Sequence, residues 1–161
     1  MNSLYEGIEL DNAQTTMICR GLFDLAAVDG VHETEIALIN DFYSASGGGP
    51  QELEILAKGG FDLDEATAVL KGDRAEAFLL SCYMLIYADG LHSDEEQVRI
   101  GEYAAALDIS AGRLEELHLQ ARLYLLSVLA QTLKNREVVQ AMGAELGLSA
   151  DVISNAMKKE N

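Results

Sequence analysis

Apolar residues in this chain recur three and four positions apart, and that spacing predicts helices almost from end to end. Met17, Ile18, Leu22, Leu25 and Ala26 mark a first core helix over about 13–28. Gly21 inside it points to a close helix contact, because Gly in a helix costs about 1 kcal/mol against Ala. Ile36, Ile39, Phe42 and Tyr43 mark a second helix ending near Ala45, where Ser46-Gly47-Gly48-Gly49-Pro50 breaks the chain. Leu53, Ile55, Leu56 and Ala57 suggest a short helix closed by Gly59-Gly60. Asp62 or Asp64 can cap the next one, which carries Ala66, Val69 and Leu70. Asp73 is the expected N-cap of a long apolar helix, Arg74 to Ala88. Its Phe78, Leu79, Cys82, Leu85 and Ile86 form the widest stripe in the chain.

Ser93 with Glu96 three residues later has the form of a capping box and opens a helix to Leu107. Ser110 caps a further helix to about Leu133, with Leu114, Leu117, Ala121, Leu125, Val128 and Leu129 along one side. Two short helices follow, about 136–146 and 149–158, parted by Gly147. No segment alternates as a strand does. The fold class read from the sequence is all-α: a single compact bundle of about seven to nine helices over residues 1–161.

The chain also repeats itself. Val28-Asp29-Gly30-Val31-His32-Glu33-Thr34-Glu35 is echoed sixty positions later by Ala88-Asp89-Gly90-Leu91-His92-Ser93-Asp94-Glu95. Both stretches join two apolar helices, which predicts an internal pseudo-twofold repeat with halves at about 14–46 and 74–107 and a C-terminal extension at 111–161. Gly30 and Gly90 suit the left-handed position that closes a helix. Asp29 and Asp89 are harder to place, because a carboxylate at a helix C-terminus meets the negative end of the helix dipole. Either each Asp caps the amides of the next helix, or a cation sits beside it. If the two turns face one another, Asp29, His32, Glu35, Asp89, His92 and Glu95 offer a mixed nitrogen and oxygen set for a divalent metal ion such as Zn²⁺, Mn²⁺ or Ca²⁺. The competing reading is plainer: the Glu residues sit where helix dipoles favour acids, and the His are polar surface residues. His118, the third of the 3 His, reads as helix surface.

Composition narrows the functional classes. The 161 residues carry 27 Asp and Glu against 11 Lys and Arg, a formal net charge of -16. Phosphate binding needs clustered positive charge, so nucleic acid is not an expected partner. Cations and basic protein surfaces are. With 49% hydrophobic residues, only 1 Pro and no Trp, the chain reads as globular and helical. Cys19 and Cys82 lie inside apolar helical runs without CxxC spacing and are expected to be buried free thiols of a reducing compartment. The first seven residues lack the features of a signal peptide, and the longest dense apolar stretch, Leu123 to Ala130, is too short to span a membrane. A cytoplasmic location is the expectation, without membrane insertion. The EF-hand, P-loop, HExxH and GxSxG patterns are all absent, so no catalytic residue is assigned.

Ala27-Val28-Asp29-Gly30-Val31 with Glu35, and Ala88-Asp89-Gly90 with Glu95 and Glu96, resemble the TerB family of bacterial tellurite-resistance proteins. They also resemble the N-terminal module of membrane-anchored DnaJ-like chaperones. Tyr103-Ala104-Ala105-Ala106-Leu107-Asp108-Ile109-Ser110 matches the way the second half closes in that family, and the likeness covers roughly Thr16 to Leu117. The resemblance implies a pseudo-symmetric helical bundle, a cytoplasmic role in stress response, cation binding, and partners within a multi-protein assembly at the inner membrane. By position it implicates Asp29, Glu35, Asp89 and Glu95 or Glu96. His32 and His92 depart from the family pattern, as does the extension after Leu117, where Leu125, Val128 and Leu129 offer a face for a homodimer. The function this implies is a non-enzymatic cation-binding or protein-interaction module. The alternative is a metal-dependent enzyme with its site built from the two turns.

Overall fold

The computed structural model describes residues 8–28, 30, 32–45, 55–88, 93–133 and 135–159. Among them the chain is all-helical, with no strand: α1 Asn12–Ala26, α2 Glu33–Ala45, α3 described over residues 55–58, α4 Leu63–Val69, α5 Asp73–Ile86, α6 Asp94–Ala106, α7 Ala111–Leu133, α8 Arg136–Glu145 and α9 Ala150–Lys159. None of these helices is long and apolar enough to cross a membrane. The chain divides into two compact units, Met1–Leu117 and His118–Asn161, with the division inside α7.

In the first unit α1 packs on α5, α1 on α2, and α5 on α6, with crosswise contacts of α1 to α6 and of α2 to α5. This is the pairing that a duplicated helical hairpin makes about a twofold axis. The buried residues carry the same symmetry. Thr15, Met17, Ile18, Cys19, Gly21, Leu22, Leu25 and Ala26 of α1 are buried, and so is the residue sixty positions on from each in α5. α5 is buried on more of its circumference than α1, adding Leu80, Tyr83 and Met84, as its wide apolar stripe predicts. A Cβ on Gly21 would lie 2.6 Å from Phe78 Cζ, so the missing side chain is what lets the Phe78 ring rest against α1. Cys19 and Cys82 are buried free thiols, and burial pushes the Cys19 pKa up to about 12.

Helix starts follow local chemistry. Asp11 and Gln14 form a reciprocal capping box on α1, with bonds of 2.8 and 2.9 Å. Asp62, rather than Asp64, caps α4 by accepting from the amides of Asp64 and Glu65. The Ser110 hydroxyl accepts from the Arg113 amide at the start of α7. Asp73 is not the N-cap of α5. Gly72 holds that position with φ +60°, which turns the chain one residue earlier than expected and makes Asp73 the first helical residue, still favourable toward the helix dipole. At the end of α6, Asp108 takes φ +61°, and Ile109 N donates to Ala104 O at 2.8 Å, closing the helix as a Schellman motif.

The second unit is built on Leu126, Val139, Leu148 and Ile153, with Leu123, Leu146, Val152, Ala156 and Met157 packed around them. Leu126 therefore takes the core position on this stretch of α7, while Val128 is 42% exposed. Gly143 lets Ile153 approach, since a Cβ there would lie 2.8 Å from its side chain. Gly147, at φ +78°, makes the turn between α8 and α9, and Leu148 N donates to Gly143 O.

Candidate functional site

The repeated hairpins end their first helix and begin their second in matching ways. α1 ends at the cap Ala27, whose amide donates to Phe23 O at 3.0 Å, followed by Val28 N to Leu25 O at 3.1 Å. α5 ends sixty residues later with Tyr87 N to Tyr83 O and Ala88 N to Leu85 O. Gly30 takes φ +94°, but it lies beyond Val28 in the turn and does not itself close α1. At the start of α2, Ile36 N donates to His32 O at 3.1 Å, and Glu35 Oε1 accepts from the His32 amide at the same distance. At the start of α6, Gln97 N donates to Ser93 O at 3.3 Å, and the Ser93 hydroxyl accepts from the Glu96 amide at 3.1 Å and donates to Glu96 Oε1 at 3.3 Å.

Counted from these helix starts, the second half runs sixty-one positions ahead. Glu35 and Glu96 are each 3% exposed and occupy the same third helical position. Ile39 and Ile100 follow as fully buried equivalents, and Phe42 and Tyr103 are buried one turn further on. An acid is favoured at that position by the helix dipole and by its bond back to the capping residue. A buried carboxylate needs such partners.

Of the six residues singled out in the sequence, Asp29, Asp89 and His92 lie outside the described residues. His32 is half-exposed just before α2, with Nε2 3.9 Å from Glu35 Oε1. Glu35 is buried beneath it, and Glu95 is exposed in the first turn of α6. His32 and Glu35 are thus brought together within one turn, whereas Glu95 stands outside the buried position that Glu96 fills. Among the described residues, no three of His, Cys, Asp and Glu converge as a metal-holding group.

A cluster that was not anticipated ties the hairpins to each other. Asp24 of α1 takes a forked pair of bonds from Arg99 of α6, with Nη2 at 2.9 Å and Nε at 3.1 Å from Oδ2. The Tyr103 hydroxyl also donates to Asp24 Oδ2. Arg99 lies 5.7 Å above the Tyr103 ring and reaches Glu102 with Nη1. Tyr103 is 1% exposed and meets Phe61 and Phe78 at centroid distances of 5.5 and 5.3 Å. Burial, then the neighbouring Cys82, then Asp24 raise the Tyr103 hydroxyl well above its ordinary value, so it acts as a donor. The sequence signal for this cluster is slight: an acid set between the core positions Leu22 and Leu25, and an Arg seventy-five residues away.

Beside the cluster is an open groove of about 350 Å³, lined by Val28, Asp94, Glu95, Val98, Arg99 and Glu102. It joins the end of α1 to the first three turns of α6. Comparison with known protein families, with curated proteins and with solved structures finds no match to this chain.

Proposed function

We propose that this chain is a non-enzymatic module of bacterial stress response, of the tellurite-resistance type, that binds a divalent cation, a basic protein surface, or both. It works in the cytoplasm as one member of a protein assembly that can be membrane-associated. The observation that carries the reading is the duplicated hairpin with acid-rich helix starts: Glu33 and Glu35 open α2, and Asp94, Glu95 and Glu96 open α6. Among the described residues, no basic side chain stands in the last turn of α1, α2, α5 or α6 to offset them. With a net charge of -16, the chain is electrostatically suited to cationic ligands and unsuited to phosphates.

The test is elemental analysis of untagged protein, followed by thermal melts with Zn²⁺, Mn²⁺, Ca²⁺ and EDTA. A stoichiometric metal, or a melt raised by one ion and lowered by the chelator, supports cation binding. Changing both Asp29 and Asp89 to Asn is then expected to abolish the shift while helix content stays constant. No metal and no shift would leave the turns as helix junctions and confine the reading to its protein-interaction arm.

A further inference from the structure

We infer that the groove between the end of α1 and the outer face of α6 docks a basic linear segment of another protein, in which one aliphatic side chain is flanked by Lys or Arg. The inference deepens the interaction arm of the reading above and rests on it. Three features carry it. Val98 is 63% exposed although it stands inside α6, and with Val28 it gives the groove an apolar lining. Asp94 and Glu95 stand on the rim and form no ion pair among the described residues. Arg99, the one cation lining the groove among the described residues, is already held by Asp24 and Glu102, so it does not neutralise that rim. The fork from Arg99 to Asp24 also fixes α6 against α1, so the groove walls are set before a partner arrives.

The same features select the occupant. Nucleic acid and anionic membrane surfaces are repelled by the carboxylates. A small molecule would be poorly enclosed, because the groove is open and its volume lies at the low end of the roughly 300–1,000 Å³ that ligand pockets span. A second copy of the chain brings 27 acidic residues with only 11 Lys and Arg, so it matches the rim badly. A basic segment with a Leu or Val between its cations places the aliphatic group on Val98 and Val28 and its charges on Asp94 and Glu95.

The probe is a fluorescein-labelled peptide, Gly-Lys-Arg-Leu-Lys-Val-Arg-Lys-Gly, titrated with the full chain at low salt and followed by anisotropy. Its control has Ser in place of Leu and Val. The expected result is binding that weakens about tenfold in the Val98→Asn variant, and similarly in the Asp94→Asn, Glu95→Gln double variant. The Glu115→Gln variant, which removes an exposed acid of α7 outside the groove, is expected to bind normally, and the Ser control to bind about tenfold more weakly. Val98 is an exposed position, so the variant is expected to keep the wild-type circular dichroism spectrum. No binding overturns the inference. So does binding that ignores Val98→Asn and treats both peptides alike, because that is attraction to an acidic surface in general. Metal-dependent melts run on the same samples separate the two levels: a metal shift with a failed groove leaves the cation arm standing, whereas failure of both removes the cation arm and this groove and moves the interaction arm to another surface.

Discussion

Gly21→Ala tests how the two hairpins are held together. In α1 the new Cβ would sit 2.6 Å from Phe78 Cζ and 3.2 Å from Phe61 Cε2, where carbon atoms prefer about 3.5–4.0 Å. The Phe78 ring must therefore move by about 1 Å. It has little room, being fully buried, with Phe61 and Tyr103 at centroid distances of 5.8 and 5.3 Å. Forcing an extra methyl into such a core costs roughly 1–3 kcal/mol. Replacing Gly by Ala in a helix interior returns about 1 kcal/mol. The net expectation is a loss of about 1–2 kcal/mol, placed in the upper part of the range because the ring is flanked. Gly101→Ala in α6 is the matched control. Nothing lies within 4 Å of its Cβ, so it keeps the propensity gain alone, about 1 kcal/mol. Urea unfolding followed by far-ultraviolet circular dichroism reads both, and with a slope near 2 kcal/mol/M the Gly21→Ala midpoint falls by roughly 0.5–1 M. A Gly21→Ala protein as stable as the wild type, beside a Gly101→Ala protein that gains normally, would refute the packing of Phe78 on α1.

Two further outcomes follow from the polar contacts. Tyr103→Phe removes a buried donor to the Asp24 carboxylate while leaving the Arg99 fork, and is expected to cost roughly 1.5–3 kcal/mol, read by the same urea titration; an unchanged midpoint would mean that Arg99 alone satisfies Asp24. Glu76 holds Arg113 in a forked pair at 2.7 and 2.9 Å, and the hydrogen bonds from Arg113 lower its pKa below the ordinary 4.5. A lowered carboxylate contributes stability that is present above the unfolded value and is lost as pH falls through the folded one. Glu76→Gln should therefore lower stability at about pH 7 and flatten its decline below about pH 4.5. A decline as steep as the wild type's would place the acid sensitivity on other carboxylates.

What the sequence made legible was local. Helical spacing located the elements to within a few residues, because each buries a continuous stripe, and capping side chains such as Ser93, Ser110 and Asp62 act within three residues of themselves. Gly21 was readable because an isolated Gly in an apolar helix needs a reason. What escaped was set by contacts distant in sequence. Asp24 and Arg99 look like two solvated charges until α1 and α6 are laid side by side. The turn of α7 that faces the second core depends on where α8 and α9 return, which puts Leu126 inside and leaves Val128 half outside. Gly72 displaced Asp73 from its cap because a left-handed residue can start a helix that a side chain would otherwise open. In the candidate site, the presence of a Glu in the first turn of each second helix was legible, while burial decided which Glu of α6 stands at the third helical position.

The one-residue difference between the two halves bears on what the turns can bind. Up to the ends of α1 and α5 the halves match at sixty positions, shown by the amide bonds of Ala27 and Tyr87. From the starts of α2 and α6 onward they match at sixty-one, shown by Glu35 with Glu96 and Ile39 with Ile100. The second turn is therefore one residue longer. At the helix start His32 is matched by Ser93, and His92 is the residue before it. Two turns of equal length would present identical donors across the pseudo-twofold axis, the arrangement suited to a symmetric ion site. Turns of unequal length present an imidazole on one side where the other offers a hydroxyl. The start of α2 exposes one acid, Glu33, beside the buried Glu35, whereas the start of α6 exposes two, Asp94 and Glu95, beside the buried Glu96. For the basic segment proposed above, that extra exposed acid favours the α6 side, where the groove lined by Val28 and Val98 opens.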